Sequence, residues 1–255
     1  MTPADRSAEQ DGEAATDPTD RARLLVVSTP IGNLGDLSAR AREALQGADL
    51  VVCEDTRRTG RLLEALGVDR PLLSLHEHNE RSRLPRLLAD LAAGRRLALV
   101  SDAGTPLLSD PGFLLVRAAA AAGVRVEPVP GASALLAALV VSGLPPQPFT
   151  FLGFPPPKRG RRLRLLQQSA ELGHTLVLYE SPHRLLATLG DCEEVFGKER
   201  LAVVARELTK LHEEVVRGAL GELRAQFEER AARGSLKGEF VLLLASADFS
   251  RRAGS

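Results

Sequence analysis

The chain alternates short apolar runs with longer amphipathic stretches, and this alternation limits the folds open to it. RLLVVSTP (23–30), DLVVCED (49–55), PLLSLHEH (71–78) and LALVSD (97–102) each have the pattern of a strand, and a helical segment follows each of them. Repeated strand–helix units predict a mainly parallel sheet with helices on both faces. We therefore expect an α/β fold over the first half of the chain.

Several residues predict where the helices of this half begin. Asp36 is the expected N-cap of a helix over LSARAREALQ, because a carboxylate can accept the free N–H groups of a first turn. Pro85 is expected in the first turn of a later helix, where its missing N–H is harmless. Asp110 followed by Pro111 is the expected N-cap and first residue of the next helix.

LPPQPF (144–149) is the proline-rich break in the middle of the chain, and we place a domain boundary there. The strands expected beyond it are closer together, with a hairpin-like spacing between LAVVARE and EEVVRG, which predicts a mixed sheet. The expected organisation is a disordered acidic tail (1–21), an N-terminal α/β domain (22–145), a C-terminal α/β domain (146–247) and a short tail (248–255). Two such domains leave a cleft between them.

Composition excludes several classes of protein. No run of eighteen apolar residues could cross a membrane, and the first twenty residues lack the apolar segment of a signal peptide. Two cysteines fit a cytoplasmic protein in which both are structural. Lys plus Arg and Asp plus Glu both number 33, so any basic surface must be local.

Loops rich in small or polar residues follow the strands, where open α/β sheets bind their ligands. They are STPIGN (28–33), CEDTRRTG (53–60), LHEHNE (75–80), SDAGTP (101–106) and PVPGASA (128–134). Each alone predicts a tight turn, but five on one edge predict a binding site. The GxGxxG and GxxxxGK[ST] phosphate signatures are absent. His76 and His78 alternate on the expected third strand, but no third ligand accompanies them, so no metal site is expected.

Together these motifs resemble those of a known family, the RsmI family of bacterial 16S ribosomal RNA methyltransferases within the tetrapyrrole methylase superfamily. The resemblance runs from about Leu24 to Ala245 and rests on STPIGNLGD, EDTRRTG, HEHNE, VSDAGTPLLSDPG, PVPGASA, YESPHR, ARELTK and KGEFVLLL. It implies a two-domain tetrapyrrole methylase-like fold with the active site in the interdomain cleft. It also implies methyl transfer from S-adenosylmethionine to the ribose 2′-OH of a decoding-centre cytidine in the small ribosomal subunit.

The chain departs from the wider superfamily in two places. Tetrapyrrole-making relatives carry GxGxGD after the first strand, whereas here TPIGN places Asn33 where that Asp would lie, which argues against a porphyrinoid substrate. The family also usually carries a small helical C-terminal extension, and this sequence stops at Ser255. Either other surfaces hold the RNA or this is a shortened form.

The resemblance implies which residues contact the cofactor. Turns such as SDAG offer backbone N–H and C=O groups to a ligand because Ala and Gly leave them accessible. Asp102 can pair with a cationic or hydroxyl group, although an Asx-turn or helix cap is the alternative. The expected contacts are Pro30, Ile31, Gly32, Ser101, Asp102, Ala103, Gly104, Thr105, Tyr179, Glu180 and Ala205.

Methyl transfer needs alignment of nucleophile, carbon and sulfur rather than a metal. A ribose hydroxyl is a poor nucleophile, so a positioned base or a cation should assist it. ARELTK supplies Glu207 and Lys210 as candidates for that catalytic role. A structural ion pair beside the cleft is an equally strong reading of both residues.

Local basic segments are the expected RNA-binding surface. KRGRRLR (158–164) follows GFPPP, whose prolines predict an extended segment held away from the domain body. The scarcity of aromatics favours phosphate contacts and RNA shape over base stacking. The expected RNA-binding residues are Arg57, Arg58, His78, Asn79, Lys158, Arg159, Arg161, Arg162 and Arg164. The alternative for the basic segment is a solvated loop leading into an amphipathic helix.

ASALLAALVVSG (132–143) has almost no polar face, so we expect it to be buried all round, partly by a second copy in a homodimer. Three other functions remain open from the sequence. They are a superfamily methyltransferase acting on a small molecule, a nucleotide-dependent enzyme of another class, and a non-catalytic RNA-binding or assembly protein on the same fold.

Overall fold

The computed structural model describes residues 22–234 and 236–252, so the predicted acidic tail lies outside the described residues. The first sheet consists of β1 (Arg23–Val27), β2 (Leu50–Cys53), β3 (Leu72–Ser74), β4 (Arg96–Val100) and β5 (Arg125–Val129). Its strand order is β3-β2-β4-β1-β5 and every pairing is parallel, as the repeated strand–helix units predicted. Parallel pairing brings the carboxyl ends of all five strands to one edge.

Helices cover both faces of this sheet. They are α1 (Ala39–Gln46), α2 (Thr56–Leu66), α3 (Glu80–Ala92) and α4 (Phe113–Ala121), with a short 3-10 helix at Leu34–Asp36. The next helix, α5 (Ala134–Ser142), packs instead on the second sheet of the protein. Side chains alternate along β1, so that Leu25 packs with α1 and α2 while Leu24 packs with α3 and α4. Burial on both faces explains why these strands are continuous apolar runs.

The second sheet is mixed. It consists of β6 (Phe149–Gly153), β7 (Thr175–Glu180), β8 (Leu201–Arg206), β9 (Glu214–Ala219) and β10 (Phe240–Leu244), in the order β6-β7-β10-β8-β9. Only β6 and β7 pair in parallel, and β8 and β9 form the predicted antiparallel hairpin. The helices of this half are α6 (Arg159–Ala170), α7 (Leu185–Phe196), α8 (Leu220–Arg233) and α9 (Ala247–Arg252), the last of which occupies most of the predicted C-terminal tail.

Helix α5 joins the two halves of the molecule. Leu135 and Leu139 on this helix pack against Val177, Val203 and Val241 of the second sheet, while α6, α7 and α8 lie in the core on the sheet's other face. In the single chain α5 is buried on one side only, and burial of its other side by a second copy stays a prediction. Its opposite side leaves large apolar side chains exposed: Leu136, Val140 and Val141.

Two predicted helix starts are wrong. Ser38 rather than Asp36 caps α1, because the Ser38 hydroxyl accepts the Ala41 N–H at 3.1 Å while Asp36 closes the 3-10 helix. Pro85 lies in the interior of α3 and not in its first turn, since that helix already begins at Glu80.

The start of α4 also differs from the prediction. Gly112, with φ of 116°, precedes the helix, so Asp110 is not the N-cap. The buried Glu80 carboxylate accepts the N–H groups of Leu114 and Leu115 at 2.9 and 3.3 Å and takes over the capping role. Asp110 therefore does not cap α4, contrary to the expectation from the sequence.

The histidine prediction is wrong in its geometry, because β3 ends at Ser74 and His76 and His78 lie in the following turn. Within the described residues, no group of three or more His, Cys, Asp or Glu side chains is placed to hold a metal ion. No helix in the described part of the chain is long and apolar enough to span a bilayer. Both cysteines are buried and free, and burial raises the pKa of each thiol.

Candidate active site

A cleft of about 380 Å³ lies where the carboxyl edge of the first sheet meets the second sheet. Loops after β2 and β4 supply one wall, and residues of β7 and β10 supply the other. Its polar and charged lining includes Glu54, Arg58, Asp102, Thr105, Ser109, Asp110, Ser133, Tyr179, Glu180, Ser181 and Glu239. Ile31, Leu108, Phe154 and Leu208 add apolar surface.

The SDAGT loop (101–105) is fixed by hydrogen bonds to the loop after β1. Thr29 and Gly104 exchange backbone hydrogen bonds of 2.9 and 3.1 Å, and the Thr29 hydroxyl donates to the Ser101 carbonyl. Gly104 has φ of 81°, and a Cβ there would lie 3.2 Å from Ile31 Cγ2. Glycine is therefore required both by the backbone conformation and by the close approach of Ile31. The loop presents Asp102 to Thr105 along the cleft wall.

Asp102 connects two loops. Its carboxylate accepts the Asp55 N–H at 3.0 Å and lies 3.5 Å from the Arg58 guanidinium. Asp55 in turn caps α2 by accepting the Arg57 N–H. The side chain of Asp102 is still 21% exposed and lines the cleft. Asp102 thus has a structural contact and an open face toward a ligand at the same time.

Tyr179 and Glu180 at the end of β7 form part of the opposite wall. The Tyr179 hydroxyl accepts the Leu135 N–H at 3.0 Å at the start of α5. Burial raises the pKa of Tyr179, so the phenol stays neutral near pH 7. The buried Glu180 carboxylate accepts hydrogen bonds from the Ser181 N–H and the Thr188 hydroxyl and lies 3.3 Å from Arg184. Glu180 therefore fixes the turn after β7.

Four of the residues expected at the cofactor are not among the residues that line the cleft: Pro30, Gly32, Ser101 and Ala205. Ser101 and Ala205 are buried. Gly32 lies under the loop between β8 and β9, where a Cβ would collide with the Lys210 side chain. The other seven expected cofactor residues line the cleft.

Glu207 and Lys210 form an ion pair at the edge of the site. Lys210 Nζ lies 2.8 Å from Glu207 Oε1 and 2.9 Å from Glu239 Oε2. Desolvation opposes ionisation of Glu207, but hydrogen bonds from Lys210 and the Glu239 N–H outweigh it and lower the Glu207 pKa. Desolvation also opposes the charge on Lys210, yet its two carboxylate partners raise the Lys210 pKa. The lowered pKa makes Glu207 a weak base, and the raised pKa keeps Lys210 protonated and unable to accept a proton, which favours the ion-pair alternative.

Sequence reasoning missed the other carboxylates of the cleft, Glu54, Asp110 and Glu239. Burial raises the pKa of Glu54, with the negative charge of Asp102 as a further cause. Burial, together with Glu54 and Asp102, raises the pKa of Asp110 to about 7. The available signal was the second Ser-Asp pair of VSDAGTPLLSDPG, at Ser109 and Asp110, whose Asp was expected to cap the following helix.

Some of the residues predicted to bind RNA lie in the loops after β2 and β3. Of these, Arg57 and His78 are exposed, and Arg57 forms an ion pair with Asp55. Arg58 is 60% exposed and lines the cleft beside Asp102. Asn79 has a structural role, because its side chain accepts the His76 N–H at 2.9 Å and donates to the Ser74 carbonyl at 3.3 Å. The HEHNE segment thus braces the turn before α3.

The basic segment 158–164 is not the extended, detached loop that its prolines suggested, because Lys158 is the N-cap of α6 and the rest is helical. Arg162 is buried against Asp191 on α7, which withdraws it from the expected RNA-binding set. Arg159 is 61% exposed and pairs with Asp191 and Glu194. Lys158, Arg161 and Arg164 are exposed and form no ion pair within the described residues.

Comparisons with known proteins identify the family of this chain. Residues 23–224 match the family model described as Tetrapyrrole (Corrin/Porphyrin) Methylases. The chain is 53% identical over 224 residues to the "Ribosomal RNA small subunit methyltransferase I" of Xylella fastidiosa (strain Temecula1 / ATCC 700964), covering 88% of this chain and 81% of that protein. The protein of the same name from Escherichia coli O157:H7 is 48% identical over 225 residues, or 88% and 78% of the two chains. The chain belongs to the tetrapyrrole methylase family, among the small-subunit ribosomal RNA methyltransferases I.

Solved structures of this family share the fold at low sequence identity. A cobalt precorrin-4 methyltransferase of cobalamin biosynthesis superimposes with a TM-score of 0.67 at 17% identity, over 91% of this chain and 98% of that one. A uroporphyrin-III C-methyltransferase from Thermus thermophilus gives 0.60 at 22% identity, over 88% and 94%. The predicted tetrapyrrole methylase-like fold, with one parallel and one mixed sheet, is confirmed.

Proposed function

We propose that this chain transfers a methyl group from S-adenosylmethionine to the ribose 2′-hydroxyl of a decoding-centre cytidine in 16S ribosomal RNA. The observation that carries the proposal is an identity of 48–53% to proteins named ribosomal RNA small subunit methyltransferase I, over 88% of the chain. The 2′-oxygen and the cytidine come from the sequence resemblance.

The cleft fits S-adenosylmethionine in size and chemistry. Its volume of about 380 Å³ lies within the range of small-molecule sites. Carboxylates of Glu54 and Asp102 face it, and Arg58 is the one basic side chain among its lining residues, so it suits a cationic ligand. Backbone groups of the SDAGT loop and the apolar surfaces of Ile31 and Phe154 suit an adenosine.

The bound cofactor supplies a methyl group already activated by its sulfonium charge. The protein has to hold the ribose hydroxyl in line with that carbon and to exclude water. The rigid contact of Thr29 with Gly104 and the packing of α5 on the second sheet keep the two walls of the cleft in fixed positions. Precise placement of the two reactants is therefore the chief contribution of the fold.

RNA would approach over basic side chains beside the cleft. Arg58 lines the cleft itself, and the carboxyl end of β6 leads through Phe154 in the cleft wall to Lys158 at the start of α6. Arg161 and Arg164 extend this exposed surface. Phosphate contacts of this kind position an RNA without reading its sequence.

A ribosomal RNA is favoured over a porphyrinoid by the loop after β1. Asn33 accepts the Gly35 N–H at 2.9 Å and donates its own N–H to the Thr209 hydroxyl, so it serves a local turn outside the cleft wall. We further propose a homodimer in the cytoplasm, formed through the exposed apolar side of α5 at Leu136 and Val140.

The deciding experiment is methylation of small ribosomal subunits that lack the modification, using cofactor labelled in the methyl group. Label in 16S RNA at a cytidine 2′-oxygen, found by nuclease digestion and mass spectrometry, would support the proposal. Label on a base, or cofactor binding without transfer to RNA, would contradict it. A matched assay on fully modified subunits is the control, because their target hydroxyl is already blocked.

A further inference from the structure

The loop between β4 and α4 places a second acidic residue, Asp110, among the residues that line the cleft. Asp110 lies between the two walls: Glu54 and Asp102 face it from the ends of β2 and β4, and Tyr179 faces it from β7. Its carboxylate has no hydrogen-bond or ion-pair partner within residues 22–234 and 236–252. A carboxylate left unpaired in a cleft is available to a substrate.

The fold holds this loop in an unusual conformation. Leu107 and Ser109 both have φ of 75°, a region that residues with side chains rarely adopt. Buried Glu80 anchors the far end by accepting the N–H groups of Leu114 and Leu115. Strained backbone that the surrounding structure enforces is a common feature of functional sites. Here it aims Asp110 into the cleft instead of toward the helix it precedes.

The other acidic groups near the site are already engaged. Asp102 accepts the Asp55 N–H and lies beside Arg58, and Glu180 accepts two hydrogen bonds and faces Arg184. Glu207 is paired with Lys210, which also holds Glu239. Glu54 is the remaining alternative among the acidic residues. Its charged neighbours all belong to the first half of the chain, whereas Asp110 also lies close to Tyr179 of the second sheet.

We propose that the Asp110 carboxylate is the general base that accepts the proton of the ribose 2′-hydroxyl, an inference that rests on the proposed function. The hydroxyl oxygen bonds to the methyl carbon as the carbon–sulfur bond breaks, and that bond's electron pair stays on the sulfur. The hydroxyl proton passes to Asp110 and then to water when the products leave. Charge and atoms balance without a metal or a further reactant.

The electrostatic surroundings suit this role. Burial, Glu54 and Asp102 raise the pKa of Asp110 to about 7, so the carboxylate is a stronger base than an exposed Asp and is still ionised above neutral pH. The titratable and charged groups that face the cleft with it are Glu54, Arg58, Asp102, Tyr179, Glu180 and Glu239. Tyr179 stays neutral there because burial raises its pKa. The methylation rate should rise with pH up to about 7 and then level off.

The test compares D110N with the wild type, with D69N as a matched control on an exposed loop and E54Q as the rival base. Single-turnover methylation of unmodified small subunits is measured from pH 5.5 to 9, roughly two units either side of the expected midpoint. D110N should lose on the order of 100-fold or more in rate, together with the rise near neutral pH. D69N should match the wild type.

Two further measurements do not depend on activity. Calorimetry with S-adenosylmethionine should give D110N an unchanged affinity. Carbon-13 NMR should show an Asp carboxyl group that titrates near pH 7 in the wild type and is absent from D110N.

The outcomes separate the two proposals. An active wild type with an unimpaired D110N, or loss of the pH-dependent rise in E54Q instead, would overturn the assignment of Asp110 and leave the proposed function standing. Loss of cofactor binding in D110N would make the residue a cofactor ligand and overturn the assignment equally. A folded wild type that binds the cofactor but methylates no small subunit would overturn both.

Discussion

Arg162 on α6 and Asp191 on α7 form a buried ion pair, with 2.6 Å between guanidinium and carboxylate and side-chain exposures of 6% and 5%. Arg162 also lies within hydrogen-bond distance of the Pro156 and Pro157 carbonyls, so it fastens the chain that enters α6. One of the five cations of KRGRRLR therefore stabilises the second domain rather than facing solvent.

Replacing Arg162 should accordingly cost stability. R162A leaves the buried Asp191 carboxylate with only the half-exposed Arg159 as partner, and we expect a loss of about 3 kcal/mol in the free energy of unfolding. Urea denaturation measures it. R164A, an exposed change on the same helix, is the control and should stay within about 0.5 kcal/mol of the wild type. Equal stability of R162A and R164A would contradict the structural role.

RNA affinity should instead follow the exposed cations of this helix. The double variant R161A/R164A should weaken binding to small subunits and reduce the slope of log affinity against log salt by about 0.7–0.9 per lost phosphate contact. Filter binding across a salt series measures both quantities. R70A, at the amino end of β3 on the opposite edge of the sheet, is the control. An unchanged salt slope would mean that residues 158–164 form a solvent-exposed helix face that does not contact the RNA.

Asp102 should contribute to cofactor affinity if its exposed face contacts the ligand. D102A removes a charge from the cleft and should weaken S-adenosylmethionine binding about 10-fold or more, the usual effect of losing a charge-assisted hydrogen bond. Calorimetry measures it, with D69A as the control. R58A removes the other member of the ion pair and should leave most of the affinity in place. Unchanged cofactor affinity in D102A would mean that Asp102 has only the structural role given by its hydrogen bond from the Asp55 N–H.

Sequence predicted the sheets well because most of their strands are short, continuous apolar runs with clear interruptions. The parallel first sheet, the β8–β9 hairpin and the SDAGT loop at a strand end follow from patterns within short segments. Contacts between distant segments are what it could not supply. Glu80 caps a helix that begins 33 residues later, at Phe113, and this contact releases Asp110 from the role that its local sequence suggested.

The same limit explains the errors in the basic segment. The run of positive charges in KRGRRLR cannot reveal that Asp191, on another helix, lies opposite Arg162. The prolines of GFPPP correctly indicate a break before α6 but carry no information about where the chain goes next. Local patterns therefore predicted most of the loops that line the candidate cleft, and only tertiary contacts could distinguish its unpaired side chains from its paired ones.

Helix α5 should form the dimer interface. Val140 is 73% and Leu136 is 52% exposed in the single chain, although both lie on an apolar helix whose other side packs on the second sheet. The wild type should be a dimer in small-angle scattering, and V140D should be a folded monomer. L211D places the same charge on a loop residue that is 94% exposed and should remain dimeric. A monomeric wild type at micromolar concentration would refute the interface.

Asp110 should make stability depend on pH in a way that needs no substrate. Its folded pKa of about 7 lies above the ordinary value of 3.8, so the folded protein binds more protons at this group than the unfolded chain does between those values. Stability is then fully retained below about pH 4 and declines as pH rises toward 7, because the carboxylate has to ionise in a partly buried, acidic cleft.

D110N removes the free-energy cost of ionising this carboxylate in the folded protein, since an amide carries no charge across this pH range. At pH 8 the variant should be more stable than the wild type by about 1–2 kcal/mol, a figure reduced from the full shift because the group is only partly buried. At pH 4 the two proteins should be equally stable. Urea unfolding at both pH values measures the difference, and D69N should show none. A D110N that is less stable at pH 8 would mean that the ionised carboxylate has a stabilising partner, and it would remove the electrostatic basis for Asp110 as a base poised near neutral pH.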